Sequence, residues 1–162
     1  ALPISQKTHE KFVKEYLSDT IFMYNATDAT KIPLRQKPVK VEKEEKPKLK
    51  RGRPKKGEKR EPIKPKILEQ QKDMTTIDNM LSLVSTNCGV GIKQNSKGNR
   101  EVWIGGKLHI SAVDGDIPIT AFYSGANVHD SSVALPLMQE TSKRVNYLYD
   151  LQDAGYDSDI IR

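Results

Sequence analysis

The stretch that decides the fold is Glu101-Val-Trp-Ile-Gly-Gly-Lys-Leu-His-Ile-Ser-Ala-Val-Asp114, followed after Gly115-Asp116 by Ile117-Pro-Ile-Thr-Ala-Phe-Tyr-Ser124. β-Branched and aromatic residues are frequent in both parts, which predicts one or two strands interrupted at Gly105-Gly106 and then a further strand. Asp114-Gly-Asp116 lies between them and is a hairpin-turn signal. The stretch therefore predicts an antiparallel hairpin.

The sequence after this hairpin predicts a helix and another strand. Ala126-Asn-Val-His-Asp-Ser-Ser132 is typical of a helix start, with a cap near Asp130 or Ser131. Apolar residues then supply a buried face as far as Arg144. Val145-Asn-Tyr-Leu-Tyr-Asp-Leu151 predicts a strand.

The sequence before the hairpin adds a helix and a strand at the start of the chain. Residues 5–18 have the apolar spacing of a short amphipathic helix, and Thr20-Ile-Phe-Met-Tyr24 is a compact β-prone run. Residues 67–84 also have helical character. The order of strand, hairpin, helix and strand predicts an α/β fold built on a mixed sheet with flanking helices.

Positive charge is concentrated in one part of the chain. Residues 37–66 hold 14 of the 27 Lys and Arg but only 5 of the 21 Asp and Glu, a net charge of +9, whereas the whole chain carries +6. Prolines recur from residue 33 to residue 65 and large apolar residues are scarce, so burial cannot offset the entropy of ordering. We predict a disordered basic insert over residues 33–66. Its charge indicates nucleic acid as a partner, although a solvated linker has the same composition.

The basic insert contains Lys50-Arg-Gly-Arg-Pro-Lys-Lys-Gly57, which resembles an AT-hook. Gly and Pro keep such a backbone extended and narrow, so that Arg51 and Arg53 can enter the narrow minor groove of A·T-rich double-stranded DNA. The flanking lysines would neutralise phosphates without reading sequence. The predicted DNA-binding residues are Lys48, Lys50, Arg51, Arg53, Lys55 and Lys56.

Two aspartates follow predicted strands at comparable places. Asp28 comes just after the run 20–24, and Asp153 comes just after the run 145–151. Carboxylates at strand ends can converge on one edge of a sheet, where their oxygens bind Mg²⁺ and support phosphoryl displacement. An Asp after a strand is, taken alone, more often a turn former or a helix cap.

Four motifs occur in a definite order along the second half of the chain. They are Gly105-Gly-Lys-Leu-His109, Asp114-Gly-Asp-Ile-Pro118, His129-Asp-Ser131 and Asp153-Ala-Gly-Tyr-Asp157. In this order they resemble the catalytic domain of bacterial insertion-sequence transposases of the DDE type. By that resemblance Asp153 matches the second acidic residue of the catalytic triad, and Asp28 in Thr27-Asp-Ala-Thr30 resembles the first.

The resemblance implies a fold, a cofactor and partners. The fold is an RNase H-like core, and the catalytic and metal-binding residues are Asp28 and Asp153 with Mg²⁺ or Mn²⁺. The partners are transposon ends and a second copy in the intact protein, in the bacterial cytoplasm and associated with the nucleoid. The family's third acid, a Glu on a later helix, is expected beyond Arg162, so we expect an incomplete core without turnover of its own.

These interpretations divide the chain into four segments. Residues 1–32 are the first part of the catalytic core, 33–66 the AT-hook-like insert, 67–99 a helix and linker, and 100–162 the second part of the core. Two alternatives stay open, namely a non-catalytic DNA-binding remnant that acts through the insert and an RNase H-like nuclease unrelated to transposition. Cys88 is the single cysteine, which excludes an intrachain disulfide framework, and no apolar run has the length of a membrane span.

Overall fold

The structure, a computed structural model, describes residues 4–39, 65–94, 97–156 and 158–161. Its elements in chain order are α1 (Ile4–Tyr16), β1 (Ile21–Pro33), α2 (Ile67–Gln71), α3 (Ile77–Ser82), β2 (Gly89–Gln94), β3 (Arg100–Val113), β4 (Ile117–Gly125), α4 (Ser131–Arg144), β5 (Asn146–Gln152) and a 3₁₀ turn (Ala154–Tyr156). Together they form a mixed α/β fold with one five-stranded sheet. Of the disordered insert predicted over residues 33–66, residues 40–64 lie outside the described residues.

The sheet is built around β3 and combines both strand directions. β3 pairs antiparallel with β1 on residues 105–113, with β4 on residues 106–113, and with β2 on residues 100–105. β1 also pairs with β5, and this pairing is parallel. Helix α4 supplies the crossover between β4 and β5 that a parallel return requires. The predicted hairpin, the helix after it and the mixed sheet are thus confirmed.

The predicted interruption of β3 at its glycine pair is wrong, because the strand continues through both residues. Gly105 has a φ of +153°, and a Cβ there would overlap the carbonyl oxygen of Ile32 on β1. A Cβ on Gly106 would overlap the ring of Tyr123 on β4. The two glycines therefore do not end the strand. They allow neighbouring strands to approach it closely.

β1 is longer than the sequence indicated. Asp28 lies within this strand and not after its end. The β-prone run that predicted the strand ended at Tyr24, and the run after it is rich in Thr, Ala and Asp. In the structure it pairs with β3 from Asn25 to Pro33, so a long partner strand overrides weak local propensity. At the start of β1, the Asp114 carboxylate of the hairpin turn accepts the N–H groups of Met23 and Tyr24, at 2.6 and 3.3 Å.

The helices pack on one face of the sheet, where the core lies. Its main cluster of buried side chains combines α1, three strands and the end of α4: Val13, Phe22, Val113, Ile119 and Val145. The predicted helix over residues 67–84 is two short helices, α2 and α3, which rest on α4. None of the helices among the described residues is both long enough and apolar enough to cross a bilayer.

A buried chain of polar side chains crosses the sheet under α4. Thr141 of α4 donates to Ser111 of β3 at 2.9 Å, and Ser111 donates to the Asn25 carbonyl oxygen of β1. The Asn25 amide nitrogen donates in turn to Asp150 of β5 at 3.0 Å. A shift of strand register would separate these buried hydrogen-bond partners and leave them unsatisfied. This chain therefore fixes β1 against β3 on one side and β5 on the other.

Candidate active site

Asp28 and Asp153 lie at one edge of the sheet, on adjacent strands. The parallel register runs from Ile21 opposite Asn146 to Thr27 opposite Gln152. The two aspartates are the next residues along, so their backbones lie about 5 Å apart, which is the spacing of neighbouring strands. Both side chains are exposed. The predicted adjacency of the two strands is confirmed, and the catalytic role of the two residues stays a prediction.

A tight turn directly after β5 fixes the conformation of Asp153. The carboxylate of Asp153 accepts the N–H of Gly155, and its backbone carbonyl accepts the N–H of Tyr156 at 3.0 Å. The ring of Tyr156 then enters the core, where only 1% of its surface is exposed. The turn thus joins an exposed carboxylate to a deeply buried anchor three residues later.

The hydroxyl of Tyr156 belongs to a buried chain of hydrogen bonds with side chains of the hairpin formed by β3 and β4. Its hydroxyl lies 3.0 Å from Nδ1 of His109 on β3, and Nε2 of that histidine lies 2.8 Å from the Ser124 hydroxyl on β4. Both ring nitrogens of His109 therefore have a hydroxyl partner. The buried histidine is satisfied on both sides, and one of its two partners is Tyr156.

Asp130 is a third carboxylate near the same edge. The sequence pattern suggested that it caps α4, but its side chain makes no cap hydrogen bond. It accepts instead from Lys107 Nζ at 2.8 Å, and the same ammonium donates to the Val128 carbonyl at 2.8 Å. A Cβ on Gly155 would lie 3.3 Å from an oxygen of Asp130 and 3.3 Å from an oxygen of Asp153. The two carboxylates therefore flank the same glycine.

Burial and charge shift the pKa values of the two linked rings in ways that keep both neutral. Burial lowers the pKa of His109 to about 4, against an ordinary value of 6.5, and the nearby Asp130, Lys107 and Asp28 partly offset one another. Burial also raises the pKa of Tyr156 well above its usual range, and the charges of Asp130, Asp28 and Asp153 raise it further. Both rings are therefore neutral at pH 7.

An open cleft of about 350 Å³ adjoins this edge of the sheet. Asp153 and Tyr156 line it together with Asp150, and Met138 of α4 closes one side. Asp150 is half-buried, and burial raises the pKa of its carboxyl, while hydrogen bonds from Asn25 and Tyr147 act in the opposite direction. The cleft gives a ligand access to Asp153 from solvent.

The two neighbouring aspartates at this edge carry the hard oxygen ligands that divalent cations such as Mg²⁺ take. Mg²⁺ is usually held by one or two carboxylates together with water and substrate oxygens, and Asp28 and Asp153 offer such a pair. The hydroxyl oxygen of Thr27, directly before Asp28, is buried and has no partner among the described residues. Within those residues, no group of three or more His, Cys, Asp and Glu side chains has metal-ligand geometry.

The structure unites some of the residues that the sequence singled out and leaves others undescribed. Asp28 and Asp153 come together, whereas Lys48, Lys50, Arg51, Arg53, Lys55 and Lys56 lie outside the described residues. No protein-family model, no curated protein and no solved structure matches the chain. The interpretation of the site therefore depends on its geometry and on the sequence motifs.

Sequence reasoning missed three residues of this site, namely His109, Tyr156 and Asp130. One signal was present, because His109 alternates with Ser111 and Val113 along β3 and so shares their inward face. A histidine on a buried face needs partners for both ring nitrogens. The identity of those partners, Tyr156 and Ser124, depends on which strands and turns surround β3.

Proposed function

We propose that this chain carries the first two acidic residues of a DDE-type transposase, in an RNase H-like core that cleaves and joins DNA strands. The observation that carries the proposal is the parallel pairing of β1 with β5, which brings Asp28 and Asp153 to one edge of the sheet. The order of hairpin, crossover helix and parallel strand supports the fold that the motifs imply. The cleft beside Asp153 supports access by a polymer substrate.

The proposed chemistry assigns a simple task to each residue. A divalent ion held at this edge would activate the attacking oxygen and stabilise the leaving oxygen of a phosphodiester. Asp28 would hold the ion from a strand interior, where pairing of β1 with β3 limits its movement. Asp153 would hold it from the turn after β5, with one carboxylate oxygen already accepting the Gly155 N–H. One oxygen of Asp28 likewise accepts the N–H of Ala29 at 2.7 Å, so the ion would bind the lone pairs of the two carboxylates that these N–H groups leave free.

The basic insert supports the DNA partner in this proposal. Its net charge of +9 would attract the phosphate backbone, and Arg51 and Arg53 would favour a narrow minor groove. Binding by the insert would raise the local concentration of DNA at the edge that carries Asp28 and Asp153. The double-stranded ends of an insertion sequence are the substrate class that the resemblance implies.

Manganese binding to the 162-residue chain tests the metal site. We expect Asp28→Asn and Asp153→Asn each to weaken Mn²⁺ binding at least about tenfold, because each removes one anionic ligand. Asp116→Asn is the matched control, since Asp116 is exposed in the hairpin turn and far along the sequence from both aspartates. Electron paramagnetic resonance of free Mn²⁺ gives the affinities. Equal binding by all four proteins would contradict the proposed site.

DNA assays separate the transposase from its two alternatives. With the intact protein and Mn²⁺, a transposase joins a DNA 3′ end to a second duplex, whereas a nuclease only transfers the strand to water. A remnant that acts through its insert binds DNA but gives neither product, and its DNA binding is unchanged by Asp153→Asn. Joined products that disappear in Asp28→Asn and Asp153→Asn are the result expected from our proposal.

A further inference from the structure

The turn that carries Asp153 has one deeply buried side chain, and that side chain depends on a histidine. Ala154 is exposed and Gly155 has no side chain, so Tyr156 is the residue that anchors the turn to the core. Its hydroxyl is hydrogen-bonded to His109 Nδ1 at 3.0 Å, and the two rings meet edge to face with their centres 6.3 Å apart. His109 itself is fully buried on β3, the central strand of the sheet.

We propose that His109 is a positioning residue, which acts through Tyr156 to hold the turn that presents Asp153 at the metal site. This inference rests on the proposed function, since it assumes that Asp153 is a metal ligand. His109 touches neither ion nor DNA in this role. Through Tyr156, it anchors to the core the turn that carries the exposed carboxylate of Asp153.

The hydrogen bond between the two side chains supports this role over simple core packing. The phenol of Tyr156 and Nδ1 of His109 are hydrogen-bonded at 3.0 Å inside the core, so each satisfies a buried polar group of the other. Ser124 holds the opposite ring nitrogen at 2.8 Å and so fixes the orientation of the ring towards Tyr156. An apolar side chain at position 109 would fill the space but offer no hydrogen-bond partner to the phenol.

The surrounding charges act on the same hydroxyl. Asp130, Asp28 and Asp153 all act electrostatically on Tyr156. Without His109, the buried phenol would lose the hydrogen-bond partner that the structure gives it, and an unsatisfied buried hydroxyl would destabilise the turn that holds it. Ligand-orienting partners of this kind typically change metal affinity by about 10- to 100-fold when they are removed.

Four variants of the full chain test the inference. Tyr156→Phe removes the hydroxyl and His109→Leu removes its partner, whereas His109→Asn keeps a carbonyl oxygen near the position of Nδ1. Tyr147→Phe is the matched control, because Tyr147 is a partly buried tyrosine of β5 whose hydroxyl donates to Asp150 at 3.3 Å and not to the turn.

The first measurement is amide hydrogen exchange by NMR, which needs no metal. In Tyr156→Phe and His109→Leu we expect exchange at Gly155 and Tyr156 to accelerate at least about tenfold more than exchange in the middle of α4. His109→Asn should restore part of the protection, and Tyr147→Phe should leave it unchanged. If the turn and α4 accelerate equally in Tyr156→Phe, the link is merely structural and the inference is overturned.

The second measurement is Mn²⁺ affinity, and it separates this inference from the proposed function. We expect binding about tenfold weaker in Tyr156→Phe and His109→Leu and near the unmodified value in Tyr147→Phe. If Asp28→Asn and Asp153→Asn lose Mn²⁺ while Tyr156→Phe binds it normally, the positioning role is wrong and the metal site stands. If the unmodified chain binds no Mn²⁺, the metal site is wrong, and with it the claim that His109 serves one.

Discussion

The buried side chain of Gln71 donates its amide nitrogen to the carbonyl of Ser132, at 2.8 Å, and so replaces a bond that α4 cannot make. In a regular helix the Ser132 carbonyl accepts from residue 136, but Pro136 has no N–H. The same nitrogen donates to the Met80 carbonyl at 3.0 Å, near the end of α3, where carbonyls lack helical partners. One glutamine thus joins α2, α3 and α4.

The first prediction concerns this glutamine. Gln71→Met keeps the volume but leaves two buried carbonyls unpaired, so we expect it to lower the free energy of unfolding by about 2–3 kcal/mol. In a Pro136→Ala background the cost should be about 1–2 kcal/mol smaller, since residue 136 then has an N–H for Ser132. Urea unfolding of the unmodified chain, Gln71→Met, Pro136→Ala and the double variant measures the cost of Gln71→Met in both backgrounds. The control is Gln70→Met, which loses a more exposed bond to Pro65. If the effects of Gln71→Met and Pro136→Ala on the free energy of unfolding are additive, the N–H of residue 136 does not replace Gln71 as the donor to Ser132, and the prediction is wrong.

The second prediction concerns acid stability. The folded chain holds the pKa of His109 at about 4, whereas the unfolded chain binds that proton near pH 6.5. Stability is therefore fully present above pH 6.5 and falls as the pH decreases towards 4, by about 3 kcal/mol from this residue. His109→Asn should lose that part of the pH dependence, while His129→Gln, at an exposed histidine, should keep it. Urea unfolding at intervals from pH 7.5 to 4 measures the free energy of unfolding of each protein. If this free energy falls with pH as steeply in His109→Asn as in the unmodified chain, the prediction is wrong.

The third prediction compares two glycines that both have positive φ. Gly105→Ala adds backbone strain and an overlap with the Ile32 carbonyl, so we expect a loss of more than about 3 kcal/mol or failure to fold. Gly115→Ala has similar strain at φ +81°, but its Cβ would lie 3.9 Å from the nearest atom. We expect it to cost about 1–2 kcal/mol. Thermal unfolding distinguishes the two, and equal losses would show that the close approach of β1 to β3 is unimportant.

The fourth prediction concerns DNA binding by the basic insert. Replacing Arg51 and Arg53 with Lys keeps the charge but loses the planar groups that fit the minor groove, so the preference for A·T-rich duplex should fall. Replacing Lys55 and Lys56 with Ala should weaken binding equally on both duplexes and lower the log–log salt slope by about one unit for each lost phosphate contact. Fluorescence titration of each protein with A·T-rich and G·C-rich duplexes over a salt series measures both effects. Equal affinity of the unmodified chain for the two duplexes would make the insert a nonspecific polycation.

The elements that the sequence predicted well are those with strong local signals. The hairpin at Asp114-Gly-Asp116, the helix after His129 and the strand after Val145 all follow from turn chemistry and apolar spacing. The predictions failed where local preference was weak or misleading. The predicted strand ended at Tyr24, but residues 25–33 continue it because β3 is long enough to pair with them. β2 formed in a segment that had been interpreted as linker.

The sequence by itself determined that a mixed α/β fold was required and that Asp28 and Asp153 were the carboxylates to examine, because strand, turn and helix signals act over a few residues. Only the tertiary structure decided that these aspartates continue one parallel register, and that His109, Ser124 and Tyr156 form a buried chain behind Asp153. It also decided that Gln71 compensates for Pro136. Each of these contacts joins residues far apart in the chain, and which donor meets which acceptor follows from the packing of whole strands and helices rather than from local preference.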